Sequence, residues 1–313
     1  MPRLYWSMQN CSIATTLVIW KPPKGSTMTI SLNVSNKLPE GLVEVYGRIQ
    51  RVAIALDIPL LIVGATARDI ILVHGYSAAI ERGTRDVDFG LKVPSWEHYQ
   101  KMRDTLIQSG FTAHPMKIHQ LNTTDSDGHP WEIDLIPFGG VSDAEGQITW
   151  PPEHAFQMSV LGFDEVYKHA WDVLLTREPT LSVKVASPAG ILLLKLIAWT
   201  ERGREYQGKD AIDIYYVIKH YGKIPDVFEA LYEREYMDLQ NYDDMKASAM
   251  MLADEVAAIA LDDTLNYIRQ TLLNNERVLE RLKTDITKFT RAGFEEAETL
   301  IEIIKEQLNE EKN

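Results

Sequence analysis

The chain has 313 residues, 45% hydrophobic and 25% charged, a balance that excludes a disordered polypeptide and leaves room for two ordinary domains. A formal net charge of −13 argues against broad, sequence-independent binding to nucleic acid, but not against an RNA docked on a local basic patch. The single cysteine, Cys11, permits no internal disulfide and fits a reducing, cytoplasmic setting, and no apolar run reaches membrane-spanning length.

Residues 1–35 read as an N-terminal extension. Its short apolar run is faintly like a signal peptide, but Trp20-Lys21 closes it and no small-residue cleavage site follows. Residues 36–57 predict an amphipathic helix, with Pro39 near its first turn and Leu42, Val45, Tyr46, Ile49, Val52 and Ala53 at helical spacing. Leu60 to Val63, bounded by Pro59 and Gly64, predicts a short buried strand. Gly64-Ala65 then turns the chain into a helix bearing Ile70, Ile71 and Val73, which His74-Gly75 ends. A second strand runs from Asp86 to Val93, and Ser95 caps a helix through Gln108 that Gly110 stops. Phe111 to Leu121 and Trp131 to Pro137 predict two strands around a polar turn, while residues 163–185 suit strand or helix equally. From Ser187-Pro188 the character changes. An apolar helix spans Ala189 to Trp199, a second runs from about Lys209 to Tyr221, and helical spacing continues from Pro225 to an acidic amphipathic tail. The organisation is an α/β half, 36–186, followed by a helical half, 187–313.

Asp86 and Asp88 carry the strongest chemical signal. Side chains two apart on a strand share a face, so both carboxylates point one way while Val87 and Phe89 point into a core. Two like charges held together need a cation, and oxygen ligands at that spacing suit a hydrated Mg²⁺. Such an ion beside a phosphate-binding turn is the working part of a phosphoryl- or nucleotidyl-transfer site. Asp134, set among Ile133, Leu135 and Ile136, is the natural third carboxylate. It would serve as metal ligand or as general base, unless a backbone N–H at the sheet end satisfies it. Arg68 and Arg85 offer forks for triphosphate oxygens, but each adjoins an aspartate, so ion pairing is the structural alternative. Thr84 either caps its loop or bonds a phosphate. Lys195 interrupts the apolar run ILLLKLIAW, and a cation buried there needs an anion. Asp210 and Asp213 share a helix face, and Asp210 also suits a helix N-terminus. Arg202, Arg204 and Lys209 form a basic loop where an acidic protein would admit RNA. His114, His119 and His129 lack zinc-ligand spacing with any cysteine. Thr66 and Ser77 have no neighbouring His–Asp arrangement for nucleophilic catalysis.

Taken together, GATARD at 64–69, TRDVDF at 84–89 and ILLLKLIAWTERGREYQGKDAIDIY at 191–215 resemble the AbiEii/MenT group of nucleotidyltransferase toxins, within the DNA polymerase β superfamily. The resemblance spans roughly residues 40 to 220. It implies an α+β nucleotidyltransferase fold, a mixed sheet with flanking helices, followed by an α-helical C-terminal domain. It implies transfer of a nucleoside monophosphate from a triphosphate such as ATP, GTP or CTP, with Mg²⁺ or Mn²⁺, to a hydroxyl of RNA, often tRNA, or of protein. In that reading Asp86, Asp88 and Asp134 hold the metal. Gly64, Ala65, Thr66, Arg68, Thr84 and Arg85 meet the nucleotide, and Lys195 steadies the phosphates. Asp210 or Asp213 orients Lys195, and a cognate antitoxin silences the protein. The family's turn is usually Gly-Ser or Gly-Gly. Ala65 removes one hydroxyl contact but leaves the backbone N–H groups of the helix start. Two rivals stand beside this reading: a nucleotidyltransferase acting on an antibiotic or metabolite, and a non-catalytic protein that binds nucleotide or a partner.

Overall fold

A computed structural model describes residues 31–81, 86–152, 154–201 and 204–310. Its centre is an eight-stranded mixed sheet ordered β1-β9-β10-β2-β3-β6-β5-β4. The strands are β1 (Ser31–Asn33), β2 (Leu60–Val63), β3 (Asp86–Val93), β4 (Thr112–Ala113), β5 (Gln120–Thr124), β6 (Pro130–Gly139), β9 (Trp171–Arg177) and β10 (Thr180–Val185). A separate hairpin pairs β7 (Gln147–Thr149) with β8 (Gln157–Ser159).

The two strands at the heart of the sheet have the expected bounds. β2 is buried at all four positions, and β3 alternates with Val87, Phe89, Leu91 and Val93 in the core. On that face lies α1 (Glu40–Ala55), whose Tyr46 meets the Phe89 ring edge-on at 5.4 Å. Tyr99 of α3 (Trp96–Gln108) reaches the Leu135 carbonyl from the same side. The other face is covered near Gly90, where a Cβ would lie 3.0 Å from Phe138 and 3.3 Å from Phe163 of α4 (Phe163–Lys168).

Three expectations need revision. Ser31–Asn33, placed in the N-terminal extension, pairs in parallel with β9 and so belongs to the sheet. The strand expected from Phe111 to Leu121 is two, because His114 accepts the N–H groups of Met116 and Lys117 through Nδ1 and turns the chain between them. Ser95 stands at the N-cap of α3 but does not cap it; its hydroxyl pairs with His98 instead. The stretch 163–185 contains both alternatives, α4 and then the β9–β10 pair. In addition, α2 (Gly64–Arg68) passes without a break into a π-helical turn, Asp69–Gly75.

After β10 the chain is helical. Helix α5 (Pro188–Glu201) is buried nearly all round, with Gly190 packed so closely on α4 that a Cβ would stand 2.7 Å from Val166. Helix α6 (Arg204–Tyr221) packs beside it. The chain continues through α7 (Pro225–Glu233), α8 (Tyr236–Leu239), α9 (Asp244–Ile259), α10 (Asp262–Ile268), α11 (Glu276–Phe289) and α12 (Phe294–Asn309). Among the described residues no helix is long and apolar enough to cross a membrane.

Candidate active site

Strand register gathers the acidic side chains. β6 runs parallel to β3, with Asp88 opposite Asp134 and Asp86 opposite Glu132. Register partners share a face, so four carboxylates, two from each strand, stand together on one side of the sheet. Asp86 and Glu132 are exposed there, Asp88 and Asp134 half-buried. Glu132 is a carboxylate of this face that the apolar pattern alone does not mark, although Glu132 and Asp134 show the same one-residue spacing as Asp86 and Asp88.

The turn after β2 abuts this face. Val63 is the antiparallel partner of Asp88, and the next residue, Gly64, has φ +69. A Cβ built on Gly64 would lie 2.1 Å from Oδ2 of Asp88. Left-handed backbone and the absence of space both require glycine, so the Asp88 carboxylate rests on the backbone of the turn. Ala65 and Thr66 follow, buried, and the Thr66 hydroxyl donates to the Asp86 carbonyl at 2.8 Å. Thr66 thus ties α2 to the start of β3, and its proton is committed to protein rather than to nucleotide.

Asp134 is oriented from its other flank. Its register partner Gln120 is 2% exposed and donates to Asp134 Oδ1 at 2.8 Å, with Nε2 of His119 4.0 Å from Oδ2. From the Phe89 side comes Tyr46. Burial first, and then the negative charges of Asp88 and Asp69, hold its phenol protonated far above the usual range.

Asp86, Asp88 and Asp134, the expected metal ligands, share this face. Among the described residues no three His, Cys, Asp or Glu side chains gather closely enough to hold a metal ion unaided. The donors are nonetheless all hard oxygens on one face. Mg²⁺ commonly uses one or two carboxylates, keeps several waters and is completed by substrate phosphates, so the chemistry of the set fits it.

Behind the turn lies a buried ionic chain. Arg68 is 1% exposed and donates through Nε and Nη2 to Asp69 at 2.8 and 2.7 Å, and through Nη1 to Asp213. Its guanidinium lies 4.5 Å over the Tyr216 ring. Burial opposes the charge, but Asp213 and Asp69 outweigh it and raise the Arg68 pKa; the Asp69 carboxyl is itself raised, chiefly by burial. The expected phosphate role of Arg68 therefore gives way to a structural one, since its donors serve carboxylates. Lys195 lies 2.8 Å from Asp210 and 2.6 Å from Asp213, so both aspartates, not one of them, hold it. Asp213 bridges the lysine of α5 and the arginine of α2. Thr84, Arg85 and Arg202 lie outside the described residues, as does the Arg204 side chain.

The same face of α6 anchors the loop that precedes β3. Tyr216 donates to the Ala79 carbonyl at 2.7 Å, Lys219 meets Glu81 at 2.9 Å, and His220 Nε2 lies 3.7 Å from the same carboxylate. Burial pulls the Glu81 pKa up, but the Lys219 hydrogen bond and charge lower it overall; burial lowers that of His220 below its usual 6.5. Near pH 6.5 the unfolded chain takes up a proton that folded His220 refuses, so stability falls as pH drops from there toward the folded value. The Glu81 contribution is complete above its unfolded value of 4.5 and is lost as pH falls through the lower folded one. His220→Asn should flatten the melting-temperature profile below about pH 6.5, without abolishing it, because burial also lowers His74 and His169. Calorimetry across that window checks it.

A mixed sheet that presses paired aspartates against a glycine turn at a helix start is the frame of a nucleotidyltransferase. The sequence matches the family described as nucleotidyl transferase AbiEii toxin, Type IV TA system, over residues 49–306, and the chain belongs to that family. It is a nucleotidyltransferase with a helical C-terminal region. No curated protein matches the chain. Among solved structures it is similar to the antibiotic-resistance factor ANT(2'')-Ia, with 15% identity, a TM-score of 0.35, and coverage of 64% of this chain and 96% of that one. It is also similar to the lincosamide antibiotic adenylyltransferase LnuA, at 16% identity, TM-score 0.33, and coverage of 58% and 98%. The Thermotoga maritima CCA-adding enzyme complexed with tRNA matches at 10% identity, TM-score 0.25, and coverage of 87% and 82%.

Proposed function

We propose that this nucleotidyltransferase moves a nucleoside monophosphate from a nucleoside triphosphate onto a hydroxyl of RNA, or of a protein, and acts as the toxin of a pair with a cognate antitoxin. The observation that carries the site assignment is the in-register Asp88–Asp134 pair resting on the Gly64 turn. The toxin role follows the family's description. The acceptor oxygen forms a bond to the α-phosphorus, the bond to pyrophosphate breaks, and the hydroxyl proton passes to Asp134. Gln120 aims that carboxylate. The first N–H groups of α2, at Gly64, Ala65 and Thr66, have no partner within the helix and are placed to meet phosphate oxygens. Asp86 and Asp88 would hold a divalent ion, Mg²⁺ or Mn²⁺, which when bound supplies charge stabilisation at the phosphates. Lys195, held by Asp210 and by the Asp213 that also pairs with Arg68 of α2, would steady the phosphates.

Incubation with each α-labelled triphosphate, Mg²⁺ and fractionated RNA, protein and small-molecule acceptors tests the reading. Label on RNA or protein is the expected result. Label only on small molecules would support the metabolite alternative, and no transfer in any fraction would refute the catalytic one. Gly64→Ala should reduce transfer by roughly 10²-fold or more, on the scale of losing one transition-state contact, because its methyl group displaces the Asp88 carboxylate. The left-handed backbone should add a stability loss of about 1–3 kcal/mol, read by denaturant titration.

A further inference from the structure

The β7–β8 hairpin lies outside the main sheet, but its loop comes back to the candidate site. The loop is closed by the Phe156 carbonyl, which accepts from the Trp150 N–H at 3.1 Å. Trp150 is buried beneath it, 5.4 Å from Trp96 and 6.4 Å from Tyr99, so the loop has a rigid aromatic floor. Phe156, in contrast, is 40% exposed. Its ring lies on the His119 imidazole with 5.3 Å between centroids and 15° between planes, a stacked pair, and Trp150 tilts against both rings. His119 is in turn the residue whose Nε2 lies 4.0 Å from Asp134 Oδ2. A braced column of rings therefore runs outward from the carboxylate assigned to the acceptor, and its outermost ring faces solvent. Lys117, two residues before His119, and His154, two before Phe156, are exposed.

The geometry points to a nucleobase-binding site at Phe156: a base of an RNA acceptor stacks on its open face, continues the Phe156–His119 column, and so brings a neighbouring ribose hydroxyl toward Asp134. The assignment rests on the transfer reading for the role of Asp134, and it narrows the acceptor class. A nucleic-acid strand offers planar rings, whereas a saturated amino sugar or an aliphatic protein hydroxyl offers none. Base–aromatic stacking is sequence-tolerant, because every base has a π-face.

The test uses the full-length chain and two fluorescein-labelled probes, a short single-stranded oligoadenylate and an abasic ribose-phosphate oligomer of equal length. The wild type should bind the oligoadenylate about tenfold more tightly than the abasic probe. Phe156→Leu, of similar bulk but without a π face, should erase that preference, and Phe156→Trp should keep it. Equal binding of the two probes by the wild type, or an intact preference in Phe156→Leu, overturns the proposal and would point to a protein partner for this surface. Where label transfer to RNA is measurable, Phe156→Leu should raise KM for the acceptor and leave KM for the triphosphate unchanged; the reverse pattern also overturns it. Base preference without label transfer would count against the transfer reading alone, and transfer without base preference against the stacking site alone.

Discussion

Asp88→Asn should lower nucleotidyl transfer by roughly 10³-fold, the scale on which loss of one group that stabilises developing charge is felt, with little change in melting temperature. The substitution is isosteric, so the contact with Gly64 and the register opposite Asp134 persist. What disappears is the negative charge. An amide cannot compensate a divalent ion as a carboxylate does, and its NH₂ presents a donor where phosphate and metal chemistry requires an acceptor. The parallel variant Glu132→Gln keeps the same face acidic through three carboxylates and should cost far less, because Glu132 is exposed and lies farther from the turn. Single-turnover label transfer with a circular-dichroism melt separates the outcomes. Near-equal losses in the two variants would mean that the face acts only through its summed charge, and the specific role of Asp88 would be abandoned.

Much of this site could be read from short-range pattern. Strand alternation alone puts Asp86 and Asp88 on one face, and the bounds of β2 follow from an apolar run cut by Pro59 and Gly64. The same alternation applies to Glu132 and Asp134, but no sequence rule says that β6 lies parallel to β3 with Asp134 beside Asp88; register between distant strands is set by packing of the whole sheet. Arg68 shows the limit most clearly. Its neighbour Asp69 suggested an ion pair, yet the partner that decides its role, Asp213, lies 145 residues away, and burial turned a phosphate candidate into a structural tie. Phe156 gave no signal at all in sequence, since a single aromatic in a Pro-rich loop acquires meaning only when His119 arrives beneath it.

Asp213→Ala should destabilise the fold by about 3–5 kcal/mol, the usual cost of removing one partner from a buried ion pair, which corresponds to a melting-temperature loss of roughly 5–8 °C in a chain this long. Asp213 is fully buried and receives both Arg68 and Lys195, so its removal leaves two cations with one carboxylate fewer in a medium that does not solvate them. Asp69 and Asp210 still partner them, which places the expected cost toward the lower end. The double variant Arg68→Met with Asp213→Leu separates scaffold from chemistry, because replacing a buried pair by apolar groups is often neutral or stabilising. It should recover part of the melting temperature, since Asp69 loses Arg68 as its partner. It should not recover transfer, since Lys195, proposed to steady the phosphates, would be held by Asp210 alone. Full activity in the double variant would reduce the Arg68–Asp213 tie to packing and remove Asp213 from the reaction. A melting temperature unchanged in Asp213→Ala itself would mean that water reaches these groups, and the account of Arg68 as a buried tie would fall with it.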